Sequence, residues 1–158
     1  MKTDFIADQL SAISTALEDA SINSYGDLSS SAVAAMLAMR KTPGISIGTV
    51  AKEVQLSHSA TVRLIDRLEK DWLVRRLRRR GREVMVELTV RGQRKAEELA
   101  EARNNAAASM LAGLDEDGMQ QLSALMARVL LLAQTPGCGR FCKGDPMNPS
   151  VSEQLEPA

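Results

Sequence analysis

Residues 45–92 read ISIGTVAKEVQLSHSATVRLIDRLEKDWLVRRLRRRGREVMVELTVRG, and the change of period inside this stretch decides the fold. Ser46 stands as a helix N-cap before Ile47, Val50, Ala51 and Val54, which recur at helical spacing. After Gln55 and Leu56, Ser57 caps a second helical pattern in which Val62, Ile65 and Leu68 face inward with Leu64 in support. From Leu73 the period drops to two, with Leu73, Arg75 and Leu77 alternating with Val74, Arg76 and Arg78. Beyond Arg79, Arg80, Gly81 and Arg82 the alternation resumes, placing Val84, Val86 and Leu88 on one face. Helix, tight turn, helix and a hairpin tipped almost wholly with arginine follow in the order of a winged helix-turn-helix module.

The outward sides of the two helices differ. The first presents Lys52 and Glu53, whereas the second presents Ser59, Thr61, Arg63 and Arg67, with His58 at its start. Short donors followed by long cations suit a helix in the major groove, where hydroxyls reach bases and guanidinium groups reach bases or phosphates. Capping alone accounts for Ser57, and a plain surface position accounts for His58, the single histidine. An arginine run is usually a solvated face. Here, however, it lies on a strand pair directly behind a helix-turn-helix pattern that needs phosphate contacts to stay in register. Arginines at a hairpin tip also suit a narrow minor groove, because their hydration is weak and the potential there is enhanced. The candidate DNA-contacting set is Ser57, His58, Ser59, Thr61, Arg63, Arg67, Arg78, Arg79, Arg80 and Arg82.

Whole-chain charge hides this asymmetry. The 158 residues carry 20 basic and 20 acidic side chains, a net charge of zero. Yet residues 73–95 hold nine cations against Glu83 and Glu87, a local +7 that leaves −7 for the remainder. Hydrophobic residues make up 44% and aromatic residues only 3%, so the core is built from aliphatic side chains. The length suits one domain, or a small domain with a helical appendage, rather than two enzymatic domains. The N-terminus lacks an apolar core of signal-peptide length and no apolar run approaches a membrane span, so a cytoplasmic protein with no membrane partner is expected.

Flanking segments read as helices. Phe5, Ile6, Leu10, Ile13 and Leu17 repeat helically over about 4–20, with Asp4 as a cap, and Ser29 or Ser30 caps a helix burying Val33, Met36, Leu37 and Met39. Thr42, Pro43 and Gly44 then mark a turn. Thr89 caps a long helix from about Val90 to Ala112 with Ala96, Leu99, Ala106, Met110 and Leu111 as burial candidates. Asp115 opens another in which Met119, Leu122, Leu125, Met126, Val129, Leu130 and Leu132 form a wide apolar stripe. The tail over 135–158 is rich in Pro, Gly and Ser and reads as disordered.

Enzyme classes find little support. There is no phosphate loop and no metalloprotease helix motif, and a lone histidine leaves nucleophilic catalysis almost without a candidate base. Gly137 and Gly139 lack the third glycine and the preceding strand of a dinucleotide site. Cys138 and Cys142 are too few for a structural zinc site, which takes four ligands, and read as inert thiols, with redox sensing as the alternative. Neither a catalytic residue nor a cofactor or metal is expected.

Two segments resemble the MarR, or multiple-antibiotic-resistance regulator, family of bacterial winged helix-turn-helix proteins. Ser57 to Lys70 is similar to the family's recognition helix, and Arg82 to Thr89 with Gly92 is similar to its second wing strand and the entry to its dimer helix. The resemblance implies a mainly α fold with a small β-hairpin wing, an α+β class. Its single domain would span 1–134, with a DNA-binding lobe over about 29–89 and dimerisation helices over about 4–20 and 90–134. It also implies an obligate homodimer on a pseudo-palindromic DNA operator, with Ser59, Thr61 and Arg63 in the major groove and Arg82 at the wing. Such proteins commonly act as repressors released by a small organic ligand or by cysteine oxidation. A winged module that binds protein is the alternative, but it has no need of this arginine density.

Two positions depart from the family. Arg80 stands where an acidic residue usually precedes the wing arginine, implying a shorter, more basic tip. Trp72 stands where the turn after the recognition helix usually carries glycine. A tryptophan at positive φ is strained by about 1–2 kcal/mol, so a different local turn is expected there.

Overall fold

The protein's structure, a computed structural model, describes residues 3–78 and 81–133. Arg79, Arg80, Cys138, Cys142 and the tail over 135–158 lie outside the described residues, and so does the expected tip geometry around Arg80.

Helix α1 spans Thr3–Ser21 and gives way to a single 3-10 turn at Ile22–Ser24. Helix α2 covers Ser30–Lys41, β1 Ile45–Ser46, α3 Ile47–Val54 and α4 His58–Lys70. Strands β2 (Val74–Arg76) and β3 (Met85–Leu88) form the wing, followed by α5 (Val90–Leu111) and α6 (Glu116–Ala133). This is the expected mainly α architecture with a small antiparallel sheet.

Hydroxyl caps set most of the helix starts. The side-chain oxygens of Ser29, Ser46, Ser57 and Thr89 accept hydrogen bonds from the amides of Ala32, Thr49, Ala60 and Gly92 at 3.0–3.2 Å. The Asp115 carboxylate does the same for Gly118 at 2.8 Å. Each bond satisfies a donor that the first helical turn would otherwise leave unpaired.

The sheet has three strands rather than two, in the order β1-β3-β2. Strand β1 pairs Ile45 with Val86 and Ser46 with Met85, while β2 pairs Val74 with Leu88 and Arg75 with Glu87. A two-residue strand carries no periodic signal. Ser46 moreover serves the sheet and the cap of α3 at once, so its cap role masked its strand role in the sequence.

Val33, Met36, Leu37 and Met39 of α2 are buried as expected, together with Val50, Ile65, Leu68, Val74, Val86, Leu88, Ala96 and Leu99. They form one cluster in which α2 packs on α3, β3 and α5, and α4 packs on α3 and β2. Val62 is only half-buried, and Leu111 likewise, while Met110 is exposed. Both of the last two lie at the end of α5, past the lobe that covers Ala96 and Leu99. Helix α1 buries only Ser21 and α6 only Ala127 among their residues, although both carry apolar stripes.

The turn after α4 overturns the expectation of an altered conformation. Trp72 keeps φ at 60°, in the left-handed region, and the residue is 76% exposed. The amide of Leu73 donates to the Leu68 carbonyl at 3.0 Å and that of Trp72 to the Glu69 carbonyl at 3.1 Å, which ends the helix in a tight reversal. The reversal wins because the core takes Leu73 and Val74 immediately afterwards, whereas the indole stays in water and makes no steric demand. Trp72→Gly is therefore expected to raise the unfolding free energy by about 1 kcal/mol. Urea denaturation followed by circular dichroism checks this, and a loss of stability would refute it.

Candidate nucleic-acid interface

Helices α3 and α4 are joined by a turn whose geometry is fixed by the backbone. Gln55 adopts φ 56° and ψ 43°, and the amide of Leu56 donates to the Ala51 carbonyl at 3.1 Å. This left-handed residue stops α3 after eight residues and sends the chain to Ser57, whose hydroxyl lies 3.3 Å from that of Ser59. His58, Ser59, Arg63 and Arg67 are all exposed on α4, as the sequence pattern required.

Thr61 is a correction. Expected on the outward side, it is 0% exposed, and its hydroxyl donates to the Ser57 carbonyl at 2.9 Å. The reason is helical arithmetic: Thr61 sits three and four residues before Leu64 and Ile65 and seven before Leu68, on the face that meets the core. Its polarity suggested solvent, but a threonine whose hydroxyl bonds back to the preceding turn is satisfied without water. The exposed row is formed instead by Ser59, Arg63, Asp66, Arg67 and Lys70.

The wing carries Arg78 and Arg82, both exposed. The amide of Leu77 donates to the Met85 carbonyl at 2.8 Å, extending the pairing beyond β2, and Gly81 reverses the chain at φ 60°. Among the described residues none of Arg63, Arg67, Arg78 and Arg82 has an ion-pair partner.

Three other cations in the basic stretch are occupied. Arg75 pairs across the sheet with Glu87. Arg76 reaches back to α4, with its guanidinium 2.6 Å from the Asp66 carboxylate and 3.0 Å from that of Glu69. The hydrogen bond to Asp66, more than any other influence, holds the Arg76 guanidinium above its ordinary pKa, against partial burial. Lys95 donates to the Ser24 carbonyl at 2.7 Å. The local excess of positive charge over 73–95 thus divides, among the described residues, into an external set on the wing, which adds to Arg63 and Arg67 of α4, an internal set that braces the lobe, and a group on α5. Sequence spacing could not reveal the internal set, because Arg76 finds its partners by tertiary packing.

Arg91, Arg94 and Lys95 of α5 line a cleft of about 480 Å³ with Tyr25, Leu28 and Leu73. No group of metal-ligating side chains occurs among the described residues, and no helix there is long and apolar enough to cross a membrane.

Neither a family model nor a curated protein matches the sequence. Solved structures do match the fold. A MarR family protein from Bacillus stearothermophilus superposes with a TM-score of 0.76 at 20% identity, over 85% of this chain and 99% of that one. MarR from E. coli, solved in an oxidised form, gives 0.65 at 19% identity over 78% and 93%. The PcaV transcriptional regulator from Streptomyces coelicolor, solved with its natural ligand, gives 0.58 at 25% identity over 81% and 91%. Because these likenesses cover 78–85% of this chain and 91–99% of the others, the chain has the winged helix-turn-helix fold of the MarR-family regulators.

Proposed function

We propose that the protein is a cytoplasmic transcription regulator, a repressor that binds double-stranded DNA as a homodimer and acts without enzymatic chemistry. The observation that carries this reading is the set of four exposed arginines on adjacent elements, Arg63 and Arg67 on α4 and Arg78 and Arg82 on the wing, none with an ion-pair partner among the described residues. A protein-binding wing would gain nothing from such charge. A duplex offers phosphates to both elements and base edges to the N-terminal half of α4, where Ser57, His58, Ser59 and Arg63 stand. Thr61 supports the helix from within rather than touching DNA.

The dimer follows from the stripes on α1 and α6, where Phe5, Leu10 and Ile13, and Leu125, Val129 and Leu132, stand exposed. A second copy is the cover these stripes need. Two-fold symmetry then requires an inverted repeat with half-sites about 10 base pairs apart. A small organic ligand fits the cleft at Tyr25, Arg91 and Arg94, which lies where α5 meets the turn after α4.

Selection of bound fragments from genomic DNA identifies the site, and titration at several salt concentrations tests the assignment. Arg78→Ala is expected to weaken selected and scrambled DNA alike and to make the log-log salt slope shallower by about one unit. Arg63→Ala is expected to cost about 1–3 kcal/mol at particular base positions. Equal losses on both DNAs for Arg63→Ala, or no loss for Arg78→Ala, would contradict the groove assignment.

A further inference from the structure

Helix α4 carries acids among its cations. Arg63, Arg67 and Lys70 share its exposed side with Asp66 and Glu69. In an isolated helix Asp66 would pair with Arg63 three residues before it and with Lys70 four residues after it. Either pairing would draw off charge that faces DNA, and a free carboxylate near a phosphate repels it. The structure shows neither arrangement: both acids turn to the two terminal nitrogens of Arg76 on β2, at 2.6 and 3.0 Å. Arg63, Arg67 and Lys70 are left without an ion pair among the described residues.

We infer that Arg76 is a positioning residue for DNA binding, whose guanidinium takes up Asp66 and Glu69 and so leaves the cations of α4 free for phosphates. The inference rests on the DNA-binding reading above. Its charge balance is specific: one internal cation engages both helix acids and offsets one of their two negative charges, so the exposed row of α4 behaves as more basic than its sequence. The planar fork of arginine suits the task, since it presents separate nitrogens to two carboxylates at once. The three side chains are 30%, 53% and 43% exposed, so the pairs contribute little to stability, and their consequence lies in what they withhold from the DNA face.

Three variants test this against selected and scrambled duplexes across a salt series: Arg76→Gln, the double substitution Asp66→Asn with Glu69→Gln, and all three changes together. Arg76→Gln is expected to bind about ten-fold more weakly than wild type, with a salt slope shallower by about one to two units. The double variant keeps Arg76 and removes the acids, so it should bind at least as tightly as wild type. The triple variant should return to within about two-fold of wild type, with its slope restored.

If the triple or the double variant is as weak as Arg76→Gln, Arg76 is a mechanical brace and the inference fails. It fails also if Arg76→Gln binds like wild type. Circular dichroism establishes that each variant is folded; should Arg76→Gln not fold, the double variant decides alone, weaker binding than wild type overturning the inference. Wild type binding no DNA would instead remove the functional reading itself, an outcome distinct from all of these.

Discussion

Replacing both Leu125 and Val129 with glutamate is expected to convert the protein to a monomer at micromolar concentration and to lower its affinity for selected DNA by about 10²–10⁴. The two side chains lie four residues apart on one face of α6 and are 58% and 57% exposed, with Leu132 on the same face at 81%. Burying a large aliphatic side chain contributes about 1.5–3 kcal/mol, so each copy of α6 can offer several kcal/mol to a partner surface. Two carboxylates placed there must either stay in water, which keeps the helices apart, or enter an apolar interface unpaired, which costs more still. The DNA effect follows because a dimer engages its second half-site at an effective concentration near the millimolar range, an advantage that a monomer lacks. Because α6 buries only Ala127 within its own chain, the lobe itself should remain folded. Light scattering and a DNA titration check both halves; a wild type that is already monomeric, or a variant that remains dimeric, would sink the prediction.

Local chemistry made most of the elements legible in the sequence. Ser29, Ser46, Ser57 and Thr89 announced the helices they cap, because a hydroxyl cap and the apolar period behind it are both short-range signals. The alternation at Val84, Val86 and Leu88 likewise marked the inner side of the wing, where Val86 and Leu88 are buried. What escaped depends on contacts between distant parts of the chain. Strand β1 exists because β3 passes beside Ile45 and Ser46, and two residues cannot show a period of two. Thr61 reads as outward from its residue type, whereas its register with Leu64, Ile65 and Leu68 places it inward. Arg76 counts in the sequence only as one cation of the basic stretch over 73–95, because Asp66 and Glu69 hold it from ten and seven positions earlier in the chain. At Trp72 the demand of the reversal for a left-handed residue outweighed the side chain's preference, a contest that propensity alone does not resolve.

That same reversal sets up the largest expected loss of stability from a single methyl group. Gly92 is the third residue of α5, and a Cβ at this position would collide with the carbonyl oxygen of Leu73 and stand 2.9 Å from its carbonyl carbon. The obstacle is backbone, and it is pinned. The Leu73 carbonyl accepts from the Thr89 amide at 3.0 Å, the Leu73 amide donates to Leu68 at 3.0 Å, and the Thr89 hydroxyl donates to the Trp72 carbonyl at 2.6 Å. To admit an alanine, the exit of α4 must separate from the entry of α5, breaking some of these bonds and opening the core around Leu73, Ala96 and Leu99. Helix propensity pulls the other way, since alanine in place of glycine gains about 1 kcal/mol in a helix interior, but overpacking costs about 1–3 kcal/mol even where side chains can yield. With rigid backbone as the neighbour, a net loss of about 3 kcal/mol is expected for Gly92→Ala, a large share of the 5–15 kcal/mol that holds an ordinary domain together. Gly113→Ala is the control, because nothing lies within 4 Å of its added methyl group. Urea denaturation of the two variants decides the matter: if Gly92→Ala is no less stable than Gly113→Ala, α4 and α5 are not welded at Leu73. If the loss appears, the exit of α4 and the entry of α5 are tightly packed at Leu73, and under the proposed function a ligand that shifted α5 in the cleft at Arg91 and Arg94 would act on Arg63 and Arg67 through that contact.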